Sequence, residues 1–134
     1  MSCSRSSRFA VVAGAAVVLA CGGLAGEAFA IKQFFDEFKA VYVKPESTDP
    51  AEKALAAAVE EAKCNVCHAG TSKKERNAYG HALAEKLDKK EDAKNIEKIK
   101  KALEEVAALP SDPANAGSPT FGALLKEGKL PGGK

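Results

Sequence analysis

Histidine, methionine and tryptophan are scarce or missing in this chain of 134 residues. It contains two histidines, one methionine and no tryptophan. The small number of histidines limits the metal sites that side chains alone can build. A zinc site needs four ligands, and beyond Cys64 and Cys67 the chain offers only His68 and His81. The gap between the two histidines is far longer than in a Cys2His2 finger, which argues against a zinc-binding domain.

Long apolar runs are also missing. The longest, residues 9–20, is too short to span a bilayer comfortably. Two arginines precede this run, and Ala28-Phe29-Ala30 follows it as an A-x-A cleavage site, a pattern typical of a secretory signal peptide. We therefore predict a signal over residues 1–30 and a mature domain over residues 31–134, which is periplasmic or secreted.

A rival processing site lies at the end of the same apolar run. Val18-Leu19-Ala20-Cys21 resembles a bacterial lipobox, and cleavage there would leave a lipid-modified Cys21 that anchors the protein to a membrane. Only about ten residues would then separate Cys21 from the first predicted helix. Cleavage after Ala30 is favoured, and the lipid-anchored form is the alternative.

The mature chain is close to electrically neutral. Without residues 1–30 the chain has 18 basic and 17 acidic residues. A nucleic-acid binder would show a pronounced basic excess, so we expect no nucleic-acid partner. Lys73, Lys74 and Arg76 form a local basic patch, which either steers an acidic partner or belongs to a solvated loop.

The most informative motif is Cys64-Asn65-Val66-Cys67-His68, here called the C-x-x-C-H segment. It matches the attachment signature of covalently bound c-type haem. Residues three and four apart share one helix face, so the two thiols can form thioethers with one porphyrin while His68 binds its iron. His68 would use one ring nitrogen for the iron and the other to donate to a backbone carbonyl.

Other roles for the same cysteines are a structural disulfide or a redox thiol pair without haem. A thioredoxin-like pair would need a βαβ context, and no strand pattern is found nearby. Signal cleavage removes Cys3 and Cys21, so the mature domain has no disulfide framework. A buried haem would supply much of the apolar surface that a domain of this size otherwise lacks.

Apolar spacing predicts helices almost throughout the mature chain. The first helix covers about residues 31–42, and the second runs from the Asp49-Pro50 start signal to about Val66. A polar loop follows, Asn77 caps a third helix, and a fourth covers about Asp92–Ala108. A last short helix begins at Ser118-Pro119 and ends at Gly128. The pattern predicts one all-α domain of four to five helices.

The motif and its helical context resemble the small exported bacterial monohaem c-type cytochromes. Asn77-Ala78-Tyr79-Gly80 is similar to the Asn-x-x-Gly element that lies shortly after C-x-x-C-H in class I members. Together the two elements cover roughly residues 50–90. The resemblance implies a helical domain wrapped around one covalent haem c, one-electron transfer to redox protein partners, and a monomeric carrier rather than an enzyme.

The chain departs from class I at the sixth iron ligand. The family uses a methionine there, and the single methionine of this chain, Met1, leaves with the signal. His81 is the first candidate for the second axial ligand, and a lysine or Tyr79 is another. The third possibility is an open iron site, which would make the protein a binder or catalyst for NO, CO or peroxide.

Overall fold

A computed structural model describes residues 25–71 and 73–133, with side chains from Lys32 onward. The basic start of the predicted signal, the apolar run, Cys3 and the lipobox-like sequence with Cys21 lie outside the described residues. Within the described part, the chain forms α-helices and one 3₁₀ turn, and no strands. The predicted all-α class is confirmed.

The helices follow one another with short connections. Their bounds are α1 Ala25–Tyr42, α2 Pro50–Ala62, the 3₁₀ turn Lys63–Val66, α3 Ala78–Lys86, α4 Ile96–Ala107 and α5 Phe121–Lys126. The expected cleavage point after Ala30 falls inside α1. Among the described helices, none is both long and apolar enough to cross a membrane.

Two predicted helix starts are confirmed by side-chain caps. The Asp49 carboxylate accepts the N–H groups of Ala51 at 2.8 Å and Glu52 at 3.1 Å, and Pro50 is the first residue of α2. The Asn77 side chain caps α3 by accepting the N–H of Gly80 at 2.9 Å. Such caps satisfy backbone donors that have no partner inside the helix.

Four predicted boundaries were wrong. The first helix begins at Ala25 rather than near residue 31, and the last begins at Phe121, after the Thr120 cap, rather than at Ser118-Pro119. The second helix ends at Ala62 rather than near Val66, because Lys63 takes a positive φ of 49° and the chain tightens into the 3₁₀ turn. The fourth helix begins at Ile96 with Asn95 as its cap. Asp92, the predicted start, is buried and instead binds the ammonium of Lys98 at 2.7 Å.

Helix α4 lies at the centre of the core and packs against α1, α3 and α5. Ile99, Leu103 and Val106 form its fully buried stripe, and burying each side chain stabilises the fold by about 1.5–3 kcal/mol. The Tyr42 hydroxyl donates to the carbonyl of Leu103 at 2.9 Å and fastens the end of α1 to α4.

Three aromatic side chains from different helices meet in this core. The rings of Phe38 and Tyr79 lie 5.9 Å apart, and those of Tyr79 and Phe121 lie 5.2 Å apart, both edge to face. The Tyr79 hydroxyl is buried and has no hydrogen-bond partner among the described residues. Tyr79 therefore ties α3 into the core through its ring.

Candidate functional site

A cleft of about 270 Å³ opens beside the C-x-x-C-H segment. The segment contributes Cys64, Cys67 and His68, and α1 contributes Phe34 and Phe35. The residues that line the cleft are Lys32, Phe34, Phe35, Lys63, Cys64, Cys67, His68, Lys73, Arg76, Gly80, Leu83, Ala84, Leu87 and Lys89. The structure thus brings both cysteines and His68 to one surface, together with an apolar patch from two helices.

The two cysteines are free thiols held by the 3₁₀ turn. The N–H groups of Cys67 and His68 both donate to the carbonyl of Cys64, at 3.3 and 3.1 Å. Cys64 lies inside the 3₁₀ turn and Cys67 follows it as the capping residue, so the turn brings both thiols to the same cleft. Cys64 is exposed and Cys67 is half-buried.

The environment of Cys67 is unlike that of a reactive redox cysteine. Burial raises the pKa of its thiol to about 12, with a smaller contribution from the neighbouring Cys64. Redox-active cysteines instead have lowered pKa values, because the thiolate is the nucleophile. Cys67 therefore lacks the lowered pKa that is typical of a catalytic redox cysteine.

The His68 ring is oriented by the loop that follows it. Its Nδ1 lies 3.0 Å from the carbonyl oxygen of Glu75. A carbonyl can only accept, so Nδ1 carries the proton, and in the neutral ring Nε2 has the free lone pair. The predicted bond from His68 to a backbone carbonyl is confirmed, and its other ring nitrogen is free to bind a metal ion.

Asn77 and Gly80 connect α3 to the C-x-x-C-H segment. The Asn77 amide donates to the carbonyls of Asn65 at 3.1 Å and Val66 at 3.0 Å. A Cβ on Gly80 would lie 1.9 Å from the carbonyl oxygen of Cys67. Only glycine permits this approach, which accounts for both residues of the Asn-x-x-Gly element.

Positive charge surrounds the apolar part of the cleft. The cationic lining residues are Lys32, Lys63, Lys73, Arg76 and Lys89, and no carboxylate is found among the described lining residues. The ammonium of Lys32 is paired with Asp36 at 2.6 Å. An apolar surface bordered by cations suits a flat apolar ligand that carries acidic groups.

Two of the candidate sixth ligands, His81 and Tyr79, are not among the lining residues. His81 is exposed on α3, and Tyr79 is buried between Phe38 and Phe121. The lysines named above are the remaining protein candidates in the described cleft. Among the described residues, no group of three or more His, Cys, Asp or Glu side chains could hold a metal ion.

Sequence reasoning did not find every residue of the cleft. Lys32 and Lys89 lie about thirty residues before and twenty after the C-x-x-C-H segment, and no local pattern links them to it. The carbonyl of Glu75 is a backbone group, so its role depends on loop geometry and not on residue type. Phe34 and Phe35 line the cleft, whereas Phe38, Tyr79 and Phe121 belong to the core.

Comparison with known protein families, with curated proteins and with solved structures gives no match. The functional argument therefore depends on the chemistry of this cleft.

Proposed function

We propose that this chain is an exported c-type cytochrome that binds one haem covalently and transfers single electrons. The observation that carries the proposal is the joint position of Cys64, Cys67 and His68 on one apolar cleft, with the His68 tautomer that leaves Nε2 free. These residue types at this spacing are the haem c attachment signature.

The remaining lining residues suit the same cofactor. Phe34, Phe35, Leu83 and Leu87 offer an apolar surface, and the cations at the border, Arg76 among them, would neutralise the two propionates. The cleft volume lies near the lower end of ordinary ligand sites, about 300–1,000 Å³. A haem would therefore keep an edge at the surface, which electron transfer to a partner requires.

Each residue would have a separate role with the cofactor in place. The haem supplies a one-electron iron couple. Cys64 and Cys67 would tether it, and Nε2 of His68 would bind its iron while Glu75 holds the ring plane. The basic border would favour an acidic redox partner, and the predicted export would place a monomeric carrier in the periplasm, or on a membrane if Cys21 is lipidated.

The decisive experiment is expression of the full chain in a host that has c-type maturation machinery. Pyridine haemochrome analysis should then give one haem per chain. Its spectrum should be that of a haem whose two vinyl groups have both reacted to form thioethers. Expression without that machinery is the control and should give a colourless protein with a Cys64–Cys67 disulfide. A colourless product from both hosts would contradict the proposal.

An open iron site is the second candidate, and one observation favours it. Among the described residues that line the cleft, His68 is the only histidine. We expect CO to shift the Soret band of the reduced protein, because no strong protein ligand opposite His68 would need to be displaced. An unchanged spectrum under saturating CO would instead support six-coordinate electron transfer.

Substitution of the two histidines separates their roles. His68→Ala should keep the covalent haem but change both the oxidised and the reduced spectrum, because the axial nitrogen of the iron is lost. His81→Ala is the matched control and should leave the oxidised and reduced spectra unchanged, since His81 is exposed and outside the cleft lining. A low-spin spectrum in the wild-type protein that becomes high-spin in His81→Ala would identify His81 as the second axial ligand.

A further inference from the structure

The C-terminal residues of the chain lie against the side chain of Asn77. After α5 the chain turns at Gly128, which has a φ of +76° and lies close to the start of α2. Leu130 then packs against the core and Pro131 is buried. A Cβ on Gly132 would lie 2.0 Å from Nδ2 of Asn77 and 2.3 Å from its Cγ. The backbone at residue 132 therefore covers the Asn77 amide with no room for a methyl group.

Asn77 links the C-terminal residues to the C-x-x-C-H segment, which lines the cleft. Its amide nitrogen donates to two carbonyls of the C-x-x-C-H segment, and its backbone N–H donates to the carbonyl of Cys67 at 3.1 Å. Its side-chain oxygen accepts the N–H of Gly80. Because donor and acceptor are both used, rotation of this amide would break bonds to the segment and to α3 together.

We propose that residues 130–133 act as a strap that holds the Asn77 amide in place and thereby positions the C-x-x-C-H segment. Asn77 and Gly132 are positioning residues, because they act on His68 through the backbone that carries it. The strap thereby keeps the two thiols and the His68 ring in position at the cleft. Its consequence for the iron rests on the proposed function, whereas its effect on the polypeptide does not.

The test is Gly132→Ala in the full chain, read by hydrogen exchange in NMR. The Gly80 amide is the most direct probe, since it lies in the first turn of α3 and its acceptor is the Asn77 side chain. We expect its exchange to become about tenfold faster through local opening. The Nδ1 proton of His68 should also exchange faster, while amides in the middle of α4 keep their rates.

Two further variants distinguish a specific effect of the strap on Asn77 from a general loss of stability. Gly117→Ala is the matched control, because its nearest neighbour is an exposed side-chain oxygen at 3.3 Å, and it should leave the Gly80 rate unchanged. Asn77→Ala removes the three atoms that lie nearest to a Cβ at residue 132. Gly132→Ala should therefore lower the melting temperature of the wild-type chain but not that of the Asn77→Ala chain.

The outcomes for the strap and for the haem are distinguishable. A wild-type Gly80 rate in Gly132→Ala, or an equal loss of melting temperature in both backgrounds, would overturn the strap. Truncation after Lys129 gives a second reading, since removal of the strap should also accelerate exchange at Gly80. A purified wild-type chain without haem would contradict the proposed function, while the Gly80 rates in that sample would still decide the strap.

Discussion

Replacement of both Cys64 and Cys67 with alanine will abolish the haem stain of the protein band in denaturing electrophoresis. The two thioethers would be the covalent links between haem and chain, and detergent disrupts every other contact in the cleft. We therefore expect the peroxidase stain to fall to background in the double variant. Each single variant would keep one thioether and a reduced stain.

The chain contains a matched control for this experiment. Cys3 lies before the predicted cleavage point, so Cys3→Ala should yield the same mature protein and the same stain as wild type. Haem that stays with the double variant after denaturation would show that attachment does not use these thiols. The assignment of the C-x-x-C-H segment would then be wrong.

Gly80→Ala will have the largest effect on stability among single methyl additions near the cleft. In an exposed helix this change usually stabilises by about 0.5–1 kcal/mol, but here the new Cβ would overlap the Cys67 carbonyl oxygen. The carbonyl also accepts the N–H of Asn77, so it cannot retreat without loss of that bond. Overpacking typically destabilises by about 1–3 kcal/mol and occasionally by more, and we expect Gly80→Ala to fall at the upper end of this range.

Urea unfolding of the purified chain measures this effect, and haem yield per chain gives a second readout. Gly117→Ala in the exposed connection is the reference and should change the free energy of unfolding by less than about 0.5 kcal/mol. If Gly80→Ala unfolds at the wild-type urea midpoint, α3 does not approach the segment as closely as described.

The sequence predicted the elements whose cause is local. The caps at Asp49 and Asn77 follow from short polar side chains that satisfy free N–H groups at a helix start. The same pattern did not decide where α4 begins, because Asp92 and Asn95 are both short polar residues that can cap a helix. Asp92 has the residue type of a cap, but its carboxylate is engaged by Lys98, and Asn95 takes the cap position.

In the candidate site too, residues placed by local spacing could be predicted from the sequence, whereas residues placed by the packing of distant segments could not. Cys64, Cys67 and His68 were found because their chemistry depends on spacing within five residues. The spacing of Phe34 and Phe35 fits both an ordinary helix core and a cleft lining, because their place beside the cysteines depends on how α1 packs. The contact between Gly132 and Asn77 had no sequence signal, since glycine carries no side chain to suggest a partner.

The bond from the Tyr42 hydroxyl to the Leu103 carbonyl has a consequence for the order of folding. The two residues are 61 positions apart, and the entropy of closing a loop rises with its length. We therefore expect α1 to dock on α4 late, after α3 and α4 have paired through a shorter connection. Until α1 docks, Phe34 and Phe35 are not yet in place beside the two thiols. If the chain binds haem as proposed, the haem would therefore reach Cys64 and Cys67 most easily before α1 docks.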